Sequence, residues 1–389
     1  MRRPSRVSRL VTYGLLLAGS ALFGFPLLWM TLTALKPIEQ TMAQPPVWLP
    51  TVERAALDGK ETEVTRVQEV TVPSYLIERY EGGRRELVTG EAAPPEEGAR
   101  RVIRKAETGW WLVEERSATK VISAVPKRDV VPPDAITTAV KFRWDNFRVA
   151  LASMGGRSVE AVEGTVAERP PNPETDAGFL TFLANTLIVC VLGVVGTVLS
   201  NALIAYGFAR IRWRGRDVFF AITLATMMVP FPVLMVPLYG IFKELGWIGT
   251  LLPLWVPYWF GSAFNIFLMR QFFLTIPEEL SEAARIDGAS EWKIFWRVIL
   301  PLSRPVLAVA ALFHFLHAWN DFLGPLLYIT RKSGFTLALA LQNFQSQQGG
   351  VQWHHLMAAS LVTVLPVIVV FFLAQKTFIQ GIATTGSKG

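Results

Sequence analysis

The stretch Glu282-Ala283-Ala284-Arg285-Ile286-Asp287-Gly288-Ala289 lies between two long apolar segments, and Leu300-Pro301 follows it. Gly288 can adopt the left-handed conformation that ends a helix without a steric cost, and Ser290 can cap a second helix. The sequence therefore predicts a short helical hairpin over residues 275–303. On the wet side of a membrane its apolar face has little lipid to bury against, so we expect it to bind a soluble partner.

The first helix of this hairpin has its own start signal. Thr275-Ile276-Pro277-Glu278 resembles a capping box, in which Thr275 accepts a backbone N–H and Glu278 reaches back. A DNA-binding helix-turn-helix is disfavoured, because the hairpin lies between apolar segments and its leading helix is acidic. Spacings of three and four residues place one shallow, alanine-containing face on that helix: Leu280, Ala283, Ala284 and Asp287.

The composition of the chain is typical of membrane proteins. Its 389 residues are 51% hydrophobic and 18% charged, with a mean hydropathy of +0.34. A transmembrane helix needs about 20 mainly apolar residues to cross the hydrocarbon core. Six segments meet this requirement, which predicts an all-α membrane protein with six transmembrane helices: residues 10–35, 179–208, 218–242, 251–274, 305–329 and 356–376.

Basic residues collect beside the helix ends and do not form one basic domain, so the net charge of +7 does not indicate nucleic-acid binding. The positive-inside rule then places both termini and the hairpin in the cytoplasm. Arg331 and Lys332 fall on the opposite side but are outnumbered. Three groups carry this orientation: Arg2, Arg3, Arg6 and Arg9; Arg210, Arg212, Arg214 and Arg216; and Arg285, Lys293, Arg297 and Arg304.

The loop between the first and second segments, residues 37–177, is far longer than the others. Short β-rich runs separated by turn signals such as Glu81-Gly82-Gly83 predict a small antiparallel β domain over about 51–133, on the extracytoplasmic side. The predicted organisation is a tail with helix 1 (1–36), this loop (37–177), the helical core with the hairpin (178–376) and a cytoplasmic tail (377–389).

At the hairpin the chain resembles the permease subunits of binding-protein-dependent ABC importers. The family pattern of Glu-Ala-Ala, three residues, Gly and a later aliphatic-x-Leu-Pro is matched by Glu282-Ala283-Ala284, Gly288 and Val298-Ile299-Leu300-Pro301. The resemblance implies a cytoplasmic coupling helix that inserts into a groove of an ATPase subunit. The residues that would carry this coupling role are Glu282, Ala283, Ala284, Asp287, Gly288 and Ala289.

Further motifs resemble the carbohydrate-uptake branch, specifically the maltose-type permease with six spans. They include Asp287-Gly288-Ala289, Met228-Val229-Pro230 and Trp319-Asn320-Asp321-Phe322. The likeness covers residues 142–389 well and 1–50 weakly. The insert over 51–133 departs from the short outer loop of the family, and Asp321 replaces its more usual Glu.

Polar residues at membrane depth are costly and are by default functional candidates. His314 and His317 are one turn apart, and we expect interhelical hydrogen bonds from them more than a metal site. Pro230, Pro232 and Pro237 interrupt the third segment and either only bend it or line a path. Residues predicted to line the substrate path are Trp319, Asn320, Asp321, Met228 and Tyr239; for Asn320 and Asp321 the alternative is helix capping or contact with water.

The sequence lacks a G-x-x-x-x-G-K-S/T phosphate loop, so ATP hydrolysis is expected in a separate subunit, and no cofactor or metal is expected. The predicted protein is a multi-pass subunit of a carbohydrate importer in the bacterial inner membrane. Its expected partners are a second homologous permease, two ATP-binding subunits, an extracytoplasmic solute-binding protein, the sugar and membrane lipid. The alternatives are a non-sugar solute (a polyol, glycerol phosphate or an oligopeptide), or a membrane scaffold or sensor acting through the insert.

Overall fold

A computed structural model describes residues 6–57, 60–66, 75–81, 84–90, 99–104, 110–112, 130–131, 136–154, 177–346 and 350–385. Long helices dominate the fold. They are α1 (Arg6–Ala34), α2 (Asp145–Met154), α3 (Phe179–Ala209), α4 (Arg216–Ala225), α5 (Phe231–Glu244), α6 (Ala263–Thr275), α7 (Glu278–Ile286), α8 (Arg304–Asn320) and α9 (Trp353–Thr385).

Short helical pieces join the long helices. The α-helical turns are Ile38–Thr41, Leu252–Trp255, Glu291–Ile294, Leu300–Leu302, Leu323–Tyr328 and Leu337–Ala340. The 3-10 turns are Thr226–Met228, Val256–Phe260, Lys332–Gly334 and Leu341–Phe344, and one π-helical turn covers Phe295–Ile299.

Within the described residues, three helices are long and apolar enough to cross a membrane: Arg9–Ala34, Phe179–Ala209 and Trp353–Gln375. The number rises to five if each of two bent pairs is one span. Arg216–Met228 and Phe231–Glu244 meet at 99°, and Glu291–Leu302 and Arg304–Asn320 meet at 78°. The predicted helical membrane architecture is confirmed, but within the described residues the candidate spans number three to five and not the predicted six.

The predicted helix over 251–274 takes a different form. It is divided into Leu252–Trp255, Val256–Phe260 and α6. Pro253 and Pro257 each lie in the first turn of one of the two short pieces, where a missing backbone N–H costs no hydrogen bond. Gly261 then has φ 97°, which side chains with a β-carbon rarely tolerate. Hydropathy identified the apolar segment, but these breaks prevent one continuous helix.

The chain divides into two compact units. The first, which includes residues 1–150, contains a five-stranded antiparallel sheet of order β7-β6-β2-β1-β8 and a three-stranded sheet of order β4-β3-β5. The strand bounds are β1 Thr51–Leu57, β2 Lys60–Arg66, β3 Tyr75–Glu81, β4 Arg84–Gly90, β5 Ala99–Arg104, β6 Trp110–Leu112, β7 Val130–Val131 and β8 Ile136–Val140. The predicted β-rich insert is confirmed, and pairing of β8 with β1 extends its sheet past residue 133.

Two polar contacts fix the entry to and exit from this sheet. Gln40 exchanges hydrogen bonds with Thr51 at the start of β1, its Oε1 accepting from the Thr51 N–H at 3.1 Å. Asn146 in α2 donates through Nδ2 to the carbonyls of Ala34 and Lys36, at 2.8 and 3.0 Å. Ala34 is the last residue of α1 and Lys36 lies just beyond it, so these carbonyls have no intrahelical donor. The chain on both sides of the insert is thereby held at the end of α1.

The second unit, which includes residues 171–351, is built around α3. Its small residues allow close approach of other elements. A β-carbon on Gly196 would lie 2.3 Å from Cδ1 of Trp259, and one on Gly193 would lie 2.3 Å from Nε2 of His314. Cys190, in the same helix, is fully buried. A two-stranded ribbon of β9 (Gln345–Ser346) and β10 (Gly350–Val351) completes this unit.

Candidate functional site

The hairpin forms where the sequence predicts it. Gly288 has φ 76°, its N–H donates to the Arg285 carbonyl at 3.0 Å, and the Ala289 N–H donates to the Ala284 carbonyl at 2.9 Å. This pair of hydrogen bonds is the Schellman arrangement that closes a helix C-terminus. Ser290 Oγ accepts from the Lys293 N–H at 3.4 Å, so the predicted cap of the second helix is confirmed.

The predicted capping box is wrong. Thr275 is the last residue of α6, and its Oγ1 donates to the Phe272 carbonyl at 2.7 Å. Helix α7 has Pro277 in the N-cap position, without a side-chain hydrogen bond. Glu278 instead lies 3.5 Å from Arg212 in an exposed ion pair. The threonine hydroxyl satisfies the end of the preceding helix, which sequence spacing alone does not distinguish from the start of the next.

The inner face of the hairpin packs into the core of the second unit. Ser281 is 1% exposed, and the three apolar residues Ile294, Phe295 and Ile299 are buried. These three apolar residues belong to a hydrophobic cluster with residues of α3, α6 and α8: Ala202, Ala205, Tyr206, Ala209, Met269, Phe273, Val306 and Ala310, with Ile276 between α6 and α7. The hairpin is therefore an extension of the packed core and not a free loop.

Charged and polar contacts fix the hairpin to α3. Arg285 Nε lies 2.7 Å from Glu291 Oε1, linking the two hairpin helices. Tyr206 of α3 donates from its hydroxyl to Glu291 Oε2 at 2.5 Å. Arg210 donates through Nη2 to the carbonyls of Phe273 and Ile276. The hydrogen bond from Arg285 lowers the pKa of Glu291 below its ordinary value, against the opposing effect of partial burial.

The outer face of the hairpin combines apolar and acidic groups. Ile286 is 87% exposed, and Leu280, Trp292 and Trp296 are also exposed. Glu282, Ala283 and Asp287 are exposed on the same helix or its end, whereas Ala284 is half-buried against the core. The predicted alanine-containing face is therefore not a single exposed surface. Ala284 packs inward, and Ile286, which was not among its predicted members, lies on the outside.

Polar and aromatic side chains connect the elements of the second unit. Asn201 Oδ1 accepts from the Ser262 N–H at 2.6 Å, which supports the start of α6 after Gly261. His317 Nε2 lies 3.0 Å from the Tyr258 hydroxyl, and the His314 ring packs edge-to-face on the same tyrosine at 4.3 Å between centroids. The interhelical role expected for His317 is confirmed. His314 packs against Tyr258, and its Nε2 has no hydrogen-bond partner among the described residues.

The predicted path residues fall into two groups. Trp319 is buried and donates through Nε1 to the Thr363 carbonyl of α9 at 3.1 Å. With Asn320 it lines a cavity of about 130 Å³, whose other walls are Leu337, Ala338, Leu341, Thr363, Val364 and Val367. Asp321 Oδ1 accepts from the Gly324 N–H at 3.0 Å, and Asn320 Nδ2 donates to the Leu316 carbonyl at 2.8 Å. Both side chains thus make helix-capping contacts, which the sequence analysis gives as the alternative to lining the substrate path.

The second group lies at and beyond the break between α4 and α5. Met228 is 84% exposed in the 3-10 turn that precedes the break. Tyr239 stacks on Tyr328 with ring centroids 6.4 Å apart. Pro230 and Pro232 lie at the start of α5, so they accompany the 99° bend, while Pro237 lies within the helix. The structure does not bring all five predicted path residues into one cavity.

Sequence reasoning missed three residues that hold the hairpin in place. Tyr206 and Arg210 are one turn apart at the end of α3, and Glu291 follows the cap of the second hairpin helix. An intramembrane tyrosine four residues before an arginine is a signal of a polar helix end. Its partner could not be identified, because Glu291 is 85 positions away in the chain.

Replacing Glu291 by glutamine is expected to lower the thermal unfolding temperature of the purified protein by a few degrees. An exposed ion pair contributes about 1 kcal/mol or less, and the Tyr206 hydrogen bond a similar amount. Because the folded pKa is lowered, this stability is present above the ordinary glutamate pKa and is lost as pH falls through the lowered value. The difference between wild type and variant should therefore disappear in acid; a difference that persists there would contradict the ionic explanation.

Residues 201–384 match the family described as binding-protein-dependent transport system inner membrane component. The chain is 34% identical over 216 residues to the arabinooligosaccharides transport system permease protein AraQ of Halalkalibacterium halodurans, covering 55% of this chain and 77% of that protein. It is 34% identical over 212 residues to the sn-glycerol-3-phosphate transport system permease protein UgpE of Yersinia pestis bv. Antiqua, covering 54% and 74%.

A solved bacterial ABC transporter involved in the import of the acidic polysaccharide alginate has a chain with the same fold. The TM-score is 0.58 at 18% identity, covering 97% of this chain and 100% of that chain. The chain therefore belongs to the family of inner-membrane permease subunits of binding-protein-dependent ABC transporters.

Proposed function

We propose that the chain is a permease subunit of an ATP-driven carbohydrate importer. It would form the translocation path with a second, homologous permease, while two ATP-binding subunits supply the energy and an extracytoplasmic solute-binding protein delivers the sugar. Family membership and the carbohydrate-transport name of the AraQ relative support this proposal. Both termini would lie in the cytoplasm of a bacterial cell, with the β-rich insert outside.

The observation that carries the docking part is the exposed apolar surface on a firmly supported hairpin. Ile286, the last residue of α7, is 87% exposed. An exposed apolar patch rimmed by polar groups is typical of a protein interaction site. Glu282 and Asp287 add carboxylates that can pair with basic residues of an ATPase subunit. The proposed coupling residues are Glu282, Ala283, Ala284, Asp287, Gly288 and Ala289, and we add Ile286 because its side chain is exposed.

Energy transfer then follows from the contacts of the hairpin. Closure of the ATPase subunits on ATP would move the hairpin, and the Tyr206–Glu291–Arg285 contacts would carry that movement to α3. ATP binding would act by favouring one of two arrangements of the helices, not by chemistry within this chain. The proposed path includes Trp319 and Asn320 at their cavity, with Asp321, Met228 and Tyr239 along it.

A second candidate is a permease for a phosphorylated polyol, because the UgpE relative transports sn-glycerol 3-phosphate and is equally identical to this chain. Uptake by the complete transporter in proteoliposomes separates the two. We expect ATP-dependent accumulation of a labelled arabinooligosaccharide, at least tenfold above that without ATP, and little accumulation of labelled glycerol 3-phosphate. The reverse preference would assign the second candidate, and uptake without the ATPase subunits would overturn the importer proposal.

A further inference from the structure

The turn between α3 and α4 contains an open basic cavity. Its volume is about 370 Å³, within the range of ligand-binding pockets, and it is lined by Arg212, Trp213, Gly215, Arg216, Asp217 and Val218. Helix α3 is a membrane-crossing candidate, and α4 is the first limb of a bent one. If these helices cross the membrane, we expect the short turn between them to lie at the level of the lipid headgroups.

The arginines around this cavity are not neutralised by strong ion pairs. Arg212 approaches Glu278 only at 3.5 Å, with 85% and 54% of the two side chains exposed, and such pairs contribute little. Arg216 uses Nε toward Asp217 at 3.2 Å. Arg214 is exposed between them and has no ion pair within the described part of the chain. Three guanidinium groups thus face two carboxylates, Glu278 and Asp217.

Aromatic residues fix the apolar side of the same turn. Trp213 packs between Phe208 and Phe219, with ring centroids 5.8 and 5.7 Å away, and donates through Nε1 to the Gly207 carbonyl at 3.2 Å. Tryptophan is enriched where the hydrocarbon core meets the headgroups. The cavity therefore combines guanidinium donors with an indole at the depth where a phospholipid places its phosphate and the start of its acyl chains.

We propose that this cavity binds the phosphate headgroup of an anionic phospholipid, with Arg212 and Arg216 as the principal ligands. Guanidinium groups bind phosphate oxygens through paired hydrogen bonds, and the membrane supplies the headgroup from the adjacent leaflet. A bound lipid would join the end of α3 to the start of α4, beside the Arg212–Glu278 contact of the hairpin. None of the residues that line this cavity is among the proposed path residues, so the proposal does not depend on which solute is carried.

The test uses the complete transporter in nanodiscs of equimolar phosphatidylglycerol and phosphatidylcholine. After purification in mild detergent, the two retained lipids are quantified by mass spectrometry. Wild type should retain phosphatidylglycerol over phosphatidylcholine, and Arg212→Gln/Arg216→Gln should lower this ratio about tenfold. The matched control Arg331→Gln/Lys332→Gln removes the same charge elsewhere and should leave the ratio unchanged. If the glutamine variant does not assemble, Arg212→Lys/Arg216→Lys keeps the charge and should lower the ratio by a smaller factor.

Three results would overturn the proposal. Equal retention of the two lipids by wild type would mean that the arginines only set the orientation of the protein in the membrane and bind no headgroup. An unchanged ratio in the glutamine or lysine variant would exclude Arg212 and Arg216 as ligands. Loss of the bound lipid on addition of inorganic phosphate at millimolar concentration, with phosphate retained in its place, would assign the cavity to a soluble anion.

Discussion

Gly288→Pro is expected to reduce ATP-dependent uptake by the assembled transporter at least tenfold. Gly288 has φ 76°, whereas proline is fixed near −65°, and the substitution also removes the N–H that donates to the Arg285 carbonyl. The cost is about 3 kcal/mol or more at this turn. We expect the angle between the two hairpin helices to change while the packed helices of the core persist. The amount of the variant protein in the membrane should therefore stay near that of wild type.

Two further variants separate backbone geometry from surface chemistry. Gly288→Asn should retain most activity, because asparagine tolerates the left-handed conformation and nothing lies within 4 Å of the added β-carbon. Glu282→Lys leaves the backbone unchanged and should weaken co-purification of the ATPase subunits severalfold. Glu244→Lys makes the same charge change at an exposed residue near the end of α5 and should have no effect. Wild-type association in both Gly288→Pro and Glu282→Lys would exclude the docking role.

The sequence predicts correctly those features that depend only on residues close together in the chain. Hydropathy located the apolar segments, Gly288 marked a helix end, and Ser290 marked a cap. The capping box at Thr275 failed because a threonine hydroxyl serves equally well at the end of one helix or the start of the next. The break at Gly261 was missed because hydropathy does not respond to backbone conformation.

Contacts between distant parts of the chain were beyond sequence reasoning. The Tyr206–Glu291 hydrogen bond and the burial of Trp319 against α9 both depend on how helices pack. A motif indicates that Trp319 and Asn320 belong together, but only packing shows that one side chain is buried and the other exposed. The exposure of the Ile286 side chain is likewise decided by packing. Ala284 and Ser281 occupy the inner face of the hairpin and leave Ile286 outside.

Gly196→Ala is expected to be the most destabilising single-methyl substitution in α3. The added β-carbon would lie 2.3 Å from Cδ1 and 2.4 Å from Nε1 of Trp259, far inside van der Waals contact. The indole is held by its Nε1 donation to the Leu192 carbonyl at 3.1 Å, so its ring cannot turn away without breaking that bond. Overpacking of this kind costs about 1–3 kcal/mol, which should lower the thermal unfolding temperature in detergent by several degrees.

Gly207→Ala is the matched control because it adds the same methyl group to the same helix, with nothing within 4 Å. Alanine is favoured over glycine inside a helix by about 0.5–1 kcal/mol, so this variant should unfold at the wild-type temperature or slightly above. Combining Gly196→Ala with Trp259→Leu should recover part of the loss, because the smaller side chain makes room. If Gly196→Ala and Gly207→Ala unfold at the same temperature, the close packing of α3 against the Val256–Phe260 turn is incorrect, since that contact alone distinguishes the two glycines.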